Sequence, residues 1–181
     1  MKARTEKTLG KDAQLTPEAV IRELGLSPLP LEGGYFVRSY TSDREIPEEG
    51  PGVPGGEPRR LATAIYYLMT PSSFSRLHRL KQDELWHFYL GDPVRMLLLY
   101  PDGSGGEKVL GTDLLSGQRP QAVAPGGTWF GGSLAPGGRF ALIGCTLSPG
   151  YSDDDYEHGS RAELSSRYPA FSKQIARLLP V

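Results

Sequence analysis

Between His78 and Gly91 the chain reads His78-Arg79-Leu80-Lys81-Gln82-Asp83-Glu84-Leu85-Trp86-His87-Phe88-Tyr89-Leu90-Gly91, and two of these side chains are equipped for chemistry. An unperturbed histidine titrates near pH 6.5, so His78 suits removal of a proton beside a carbonyl. A carboxylate beside it, here Glu84, would fix its tautomer and raise its basicity. Both are also metal-ligand types. His78 and Glu84 are therefore the candidate catalytic pair and the candidate metal ligands, with a satisfied, non-catalytic pair as the third reading. Two protein ligands hold a first-row metal poorly against water. Strand alternation points His87 away from Glu84, since Trp86 and Phe88 share the face of Glu84 while Leu85, His87 and Tyr89 take the other. His87 is thus a ligand-binding candidate at most, or a histidine bonded within a sheet or interface. No cofactor is expected; a divalent metal on His78 and Glu84 is the alternative.

Other residues join by parity or type. Arg38 alternates with Phe36 and Tyr40; if that face is internal, Arg38 is a cation seeking a ligand's carboxylate or phosphate, and otherwise an exposed strand arginine. Arg76 shares parity with His78 and can reach the same pocket. Gln121 and Trp129 offer an amide and an aromatic wall to a planar or sugar-like ligand, though aromatics in strands are more often core. Cys145 stands alone among Leu142-Ile143-Gly144 and Thr146-Leu147, which reads as a small core residue. The acidic run 153–155 lacks the EF-hand spacing, and its first two residues, Asp153 and Asp154, read as a solvated turn. The glycine clusters form no phosphate-binding loop.

These side chains need elements to hold them. Thr16-Pro17-Glu18 opens a short helix with a hydroxyl cap, a proline in the first turn and an acid. Val20, Ile21 and Leu24 form its apolar stripe and Gly25 its stop. Strands follow from Tyr35–Tyr40 through residues 61–69, 73–78, 84–90, 94–100, 107–110, 121–124, 128–134 and 139–147, each bounded by Gly, Pro or Asp turns. Residues 45–59, with four prolines and four glycines, predict a mobile loop that can serve as a lid. After Tyr151 helix returns: Ser160-Arg161-Ala162-Glu163 is a capping box, and Phe171–Leu179 is a short amphipathic helix. Nine short strands with turns every eight to twelve residues give an antiparallel sandwich or barrel, a single domain over 15–181 behind a loose tail at 1–14.

Composition narrows the class further. The 181 residues include 23 glycines and 16 prolines, too many breakers for a helical bundle. Twenty basic against twenty-one acidic residues leave a net charge of −1, so no basic excess drives nucleic-acid or acidic-membrane binding. One cysteine excludes an intrachain disulfide and a Cys-rich zinc site. No apolar run reaches the roughly 20 residues of a membrane span, and no signal peptide is visible, so a cytoplasmic protein is expected.

The spacing of His78, Glu84 and Gly91 resembles the first motif of the cupin superfamily, G-x5-H-x-H-x3-4-E-x6-G, with Leu80 at its second histidine. Pro125-Gly126-Gly127-Thr128-Trp129-Phe130 is similar to the second motif, with Phe130 where a histidine would stand. Leu31-Glu32-Gly33-Gly34-Tyr35-Phe36, Phe74–Arg79, Asp83–Pro93, Leu110-Gly111-Thr112-Asp113, Gln121–Gly131 and Pro149-Gly150 with Asp155-Tyr156-Glu157 look closer still to one small cupin family of uncharacterised function. The resemblance implies an all-β fold, a double-stranded β-helix (cupin jelly-roll barrel) with short N- and C-terminal helices, a small-molecule ligand in the barrel, and a homodimer. Superfamily relatives include metal-dependent oxygenases and isomerases, binding proteins, and metal-free epimerases of sugar nucleotides. In those epimerases a histidine base faces a tyrosine acid. Tyr35, Tyr40, Tyr66 and Tyr151 are the candidates here, with His78 as base and Arg38 as anion anchor. Fold alone does not choose among these functions.

Overall fold

Residues 15–46 and 58–180 are described by a computed structural model. The tail at 1–14 and the centre of the expected loop, 47–57, lie outside the described residues. Helix α1 (Pro17–Leu24) begins where its cap predicts, with Thr16 Oγ1 accepting from the Ala19 N–H at 3.2 Å. It ends at Gly25, which takes the left-handed conformation (φ 66°) and closes on the Ile21 carbonyl.

Among the described residues thirteen strands follow: β1 (Ser27–Pro28), β2 (Tyr35–Thr41), β3 (Glu45–Ile46), β4 (Arg59–Arg60), β5 (Thr63–Met69), β6 (Ser75–Arg79), β7 (Glu84–Gly91), β8 (Val94–Leu99), β9 (Gly105–Leu110), β10 (Gln121–Ala124), β11 (Trp129–Leu134), β12 (Ala141–Leu147) and β13 (Glu157–His158). The longer ones fall where alternating apolar residues and Gly/Pro turns predict. The two-residue strands were not anticipated, being too short to show a period; β3 and β4 pair across the two ends of the expected 45–59 loop. Helices α2 (Arg161–Arg167) and α3 (Ser172–Leu178) close the chain, with Ser160 capping α2.

Eleven of these strands form two antiparallel sheets, a six-stranded one in the order β1-β2-β5-β12-β7-β10 and a five-stranded one in the order β13-β6-β11-β8-β9, while β3 and β4 pair with each other apart from them. This is the double-stranded β-helix. Their inner faces bury Tyr67, Trp86, Met96, Phe130 and Ile143 between them. Trp86 meets Phe130 edge-on with centroids 6.1 Å apart, a geometry worth about 0.5–1.5 kcal/mol beyond area burial. Helix α1 covers part of the outer face of the six-stranded sheet through Val20 against Leu68 and Leu142. Helices α2 and α3 cover the outside of the five-stranded sheet, where Leu164, Ile175 and Leu178 pack on Leu77 and Trp129. One end of the space between the sheets is left open. No helix among the described residues is long and apolar enough to cross a membrane.

Candidate functional site

Strands β6 and β7 each deliver one polar side chain into that open end. His78 is 2% exposed and Glu84 6%. On β6 a bulge sets the phase: Phe130 pairs with His78 and Gly132 with Ser75, so three steps on β6 oppose two on β11. Ser75 and His78 therefore both turn inward, Leu77 turns to the outer helices, and Arg76 is left exposed. The Arg76 carbonyl lies 2.8 Å from His78 Nδ1 and accepts its proton, which presents Nε2 to the cavity. Glu84 Oε2 lies 3.8 Å from Nε2, beyond hydrogen-bond reach, and has no other hydrogen-bond partner.

The cavity measures about 490 Å³, room for a ligand of monosaccharide to small-nucleotide size. Its wall is largely apolar, with Leu29, Phe36, Ile65, Leu80 and Leu147 around the polar pair. Phe130 packs on one face of the His78 ring at 4.2 Å and Tyr156 stacks on it at 5.3 Å with planes 18° apart. A second carboxylate, Glu32, joins the wall from the turn before β2, its Oε1 accepting from Ser75 Oγ at 3.0 Å. Burial alone would push the imidazole down. The carboxylates of Glu32 and Glu84, with the Arg76 carbonyl, more than reverse this and raise His78 to about 9. Burial raises Glu32, against the lowering pull of His78.

Of the residues picked from sequence, His78, Glu84, Arg38 and Tyr151 meet at this cavity. Arg38 stands at the mouth, 6.0 Å from the Tyr151 ring centroid. Burial and the neighbouring Asp153 push the Tyr151 phenol up, and burial and Glu32 do the same for Tyr156, so both stay protonated. Tyr40, Tyr66, Arg76, His87, Gln121 and Trp129 do not line the cavity. A bulge between Arg38 and Tyr40 breaks their parity: Tyr40 opposes Ala64 and is 54% exposed outside. Tyr66 lies on the outer face, edge-on to Tyr89, and Tyr35 packs with the α1 cluster. His87 does turn outward as alternation requires, and there it meets Gln121 (3.2 Å) and Thr146 (3.3 Å). Trp129 is buried under α2 and α3 with the Arg79 guanidinium over its ring, because Phe130 takes the inward phase of β11.

Three site residues escaped the sequence reading: Glu32, Tyr156 and Asp153. Asp153 was read as part of a solvated acidic turn, but it lines the cavity mouth. Its neighbour Asp155 is buried and braces the rim, paired with Arg59 at 2.5 Å and Lys81 at 3.3 Å. Glu157 pairs with Arg79. Cys145 proves to lie on the cavity wall, where burial and then Glu84 hold the thiol well above its usual range and unreactive.

A metal does not fit this donor set. The two remaining ligand positions of the resembled motifs are Leu80 and Phe130, both apolar and both buried. Among the described residues no group of three or more His, Cys, Asp or Glu side chains is placed to hold an ion.

Solved structures share this architecture along nearly the whole chain. A hypothetical protein from Leishmania major is 31% identical, covers 90% of this chain and 98% of its own, and superposes with a TM-score of 0.81. A protein from Shewanella oneidensis is 33% identical over 91% of this chain and 98% of its own, with a TM-score of 0.80. The uncharacterized protein YML079W of Saccharomyces cerevisiae is 32% identical over 134 residues, which is 69% of this chain and 66% of that protein, a little under two thirds of its length. The family model described as cupin superfamily (DUF985) matches residues 18–159, a span that holds every cavity residue named above. With the motif positions, the jelly roll and that match in agreement, the chain belongs to the cupin superfamily, in its DUF985 family.

Proposed function

We propose that the barrel cavity binds a small polar carbonyl compound, a sugar nucleotide being the class in view, and shifts a proton on it as an epimerase or isomerase does. The observation that carries the reading is the 3.8 Å separation of His78 Nε2 and Glu84 Oε2. At that distance the donor and the acceptor are both open to a ligand. The sequence suggests His78 as the base. Raised to about 9, it meets neutral solution as imidazolium, so we assign it the acid and Glu84 the base. Glu84 takes the proton from the carbon beside the carbonyl while His78 donates to the carbonyl oxygen. Return of the proton to the former carbonyl carbon, with the neighbouring hydroxyl proton passing to the now neutral His78, gives the isomer; protonation of the first carbon from the other face by Tyr151 or Tyr156, with the enol proton returning to His78, gives the epimer. Arg38 suits a phosphate or carboxylate at the mouth.

Non-catalytic binding in the same cavity is the competing reading. Incubation in D₂O with a panel of nucleotide sugars and sugar phosphates separates the two. One deuterium per turnover is expected on the carbon beside the carbonyl, lost in His78→Asn and in Glu84→Gln. Binding without exchange across the panel sinks the catalytic reading. A homodimer packed through the outer face of the six-stranded sheet is proposed alongside.

A further inference from the structure

The turn that carries Glu32 is held in an unusual shape. Leu31 has φ 64°, an unfavourable conformation for a branched side chain, and is 74% exposed at the cavity mouth. Gly33 and Gly34 follow at φ 96° and 72°. A Cβ on Gly33 would stand 2.5 Å from the Phe74 carbonyl oxygen, and one on Gly34 2.5 Å from the Tyr67 hydroxyl. The Arg76 N–H donates to the Glu32 carbonyl at 2.9 Å, and the Tyr67 hydroxyl donates to the Gly33 carbonyl at 2.8 Å. Ser75 Oγ then fixes the carboxylate itself. Strand β6 thus holds Glu32 by the two residues that precede His78 by three and two positions. Nothing in the packing of the core calls for a carboxylate here, and strained backbone so fully over-determined marks a working position.

We infer that Glu32 is a second ligand-binding carboxylate and that, with Glu84, it orients the ligand: hydroxyl donors enter first, and the anionic group stays at the mouth on Arg38. The inference rests on the proposed function only in placing the ligand in the barrel. Glu84 supplies the independent sign of an absent donor, since its side chain is 92% buried on the wall with Oε2 unpartnered. A hydroxyl-bearing end would donate to Oε2 and to the open oxygen of Glu32, and accept from His78 Nε2. An anion at the same depth would meet two carboxylates against one imidazole in a poorly solvated wall, where like charges repel far more strongly than in water. At the other end, Arg38 has no carboxylate within 4.0 Å among the described residues, and its exposed guanidinium is free for one from a ligand. The polarity of the cavity follows: two carboxylates beside His78, and at the mouth the Arg38 cation, with the Asp153 carboxylate there set beside Tyr151. The ligand class that matches it is a polyhydroxylated compound with a phosphate or carboxylate at one end. Small dicarboxylates, anionic at both ends, are excluded.

The test uses two dianionic probes, ribose 5-phosphate and malonate, titrated at millimolar concentration into the full-length protein labelled with ¹⁵N. The readout is the imidazole resonances, which three histidines make simple to assign. Ribose 5-phosphate is expected to shift His78 at least tenfold more tightly than malonate. Arg38→Ala should weaken the sugar phosphate without admitting malonate. The near-isosteric Glu32→Gln should narrow the preference tenfold or more by letting malonate in. Malonate equal to ribose 5-phosphate on the wild type, no His78 response to the sugar phosphate, or an unchanged preference in Glu32→Gln would each overturn the inference. The wild-type comparison stands even if a variant fails to fold. Selective binding without deuterium exchange would leave this inference intact and remove the catalytic reading; exchange without selectivity would do the reverse.

Discussion

His78 shows how one buried side chain ties the site to the stability of the fold. Its imidazole is raised to about 9 in the folded chain against 6.5 for the free group, because Glu32 and Glu84 outweigh burial. A base whose folded value is raised binds its proton more tightly when folded. The stability this supplies is fully present below about pH 6.5 and lost as pH rises through 9. Unfolding free energy from urea titration should fall across that window by on the order of 1–3 kcal/mol; the raised carboxyl of Glu32 has the same sign and adds its own loss from about pH 4.5 upward. His78→Asn should flatten the curve there. A flat wild-type profile would mean that His78 is neutral in the fold, and Glu84 could no longer be assigned the base.

At the scale of elements, the segment from Gly150 to His158 acts as one rim. It brings Tyr151, Asp153 and Tyr156 to the cavity, and Asp155 pins it to Arg59 and Lys81. The Arg59 guanidinium also donates to the Gly150 carbonyl. Removing one partner of a buried pair commonly costs about 3–5 kcal/mol. With Lys81 half-exposed, the lower end of that range is the expectation for Asp155→Asn, concentrated in the rim. Hydrogen–deuterium exchange should therefore quicken at 150–158 well before the β-sheet amides. Uniform loss of protection would show instead that the rim unfolds only with the barrel. Parity explains how far this site could be read beforehand. Strands, turns and caps were legible because each leaves a local pattern. Glu84 and His87 obeyed alternation on an unbroken stretch of β7. Tyr40 and Arg76 were misplaced because bulges, which cost one residue of register and leave no pattern, sit directly beside them. Trp129 was misassigned for want of the strand's phase, which the partner His78 sets through Phe130. Glu32 stands in a turn, where periodicity says nothing, and only the adjoining Gly33-Gly34 pair signalled a constrained backbone.

For the molecule as a whole, the two outer sheet faces differ. Helices α2 and α3 bury one of them, whereas α1 covers only part of the other. The uncovered area of the six-stranded sheet carries Tyr40 (54% exposed) and Tyr89 (49%), with Tyr66 edge-on to Tyr89. Beside them His87 bridges Gln121 and Thr146, a polar spot that fixes direction on an otherwise aromatic face. Tyrosines of this kind are enriched at protein interfaces, where the ring is buried and the hydroxyl finds a partner. The sheet's edges argue against strand exchange. The two-residue strand β1 ends in Pro28, and β10 is only four residues long, so both edges are blunt templates. Face-to-face packing about a two-fold axis is the arrangement we propose for the dimer, one that would set each tyrosine against the same patch on the second copy. Native mass spectrometry at micromolar concentration should then give twice the 19.7 kDa of one chain. Tyr40→Glu with Tyr89→Glu should reduce it to the single mass while leaving the His78 resonances in place, since neither side chain reaches the cavity. A monomeric wild type would remove the dimer and leave the aromatic face as a surface without a self-partner.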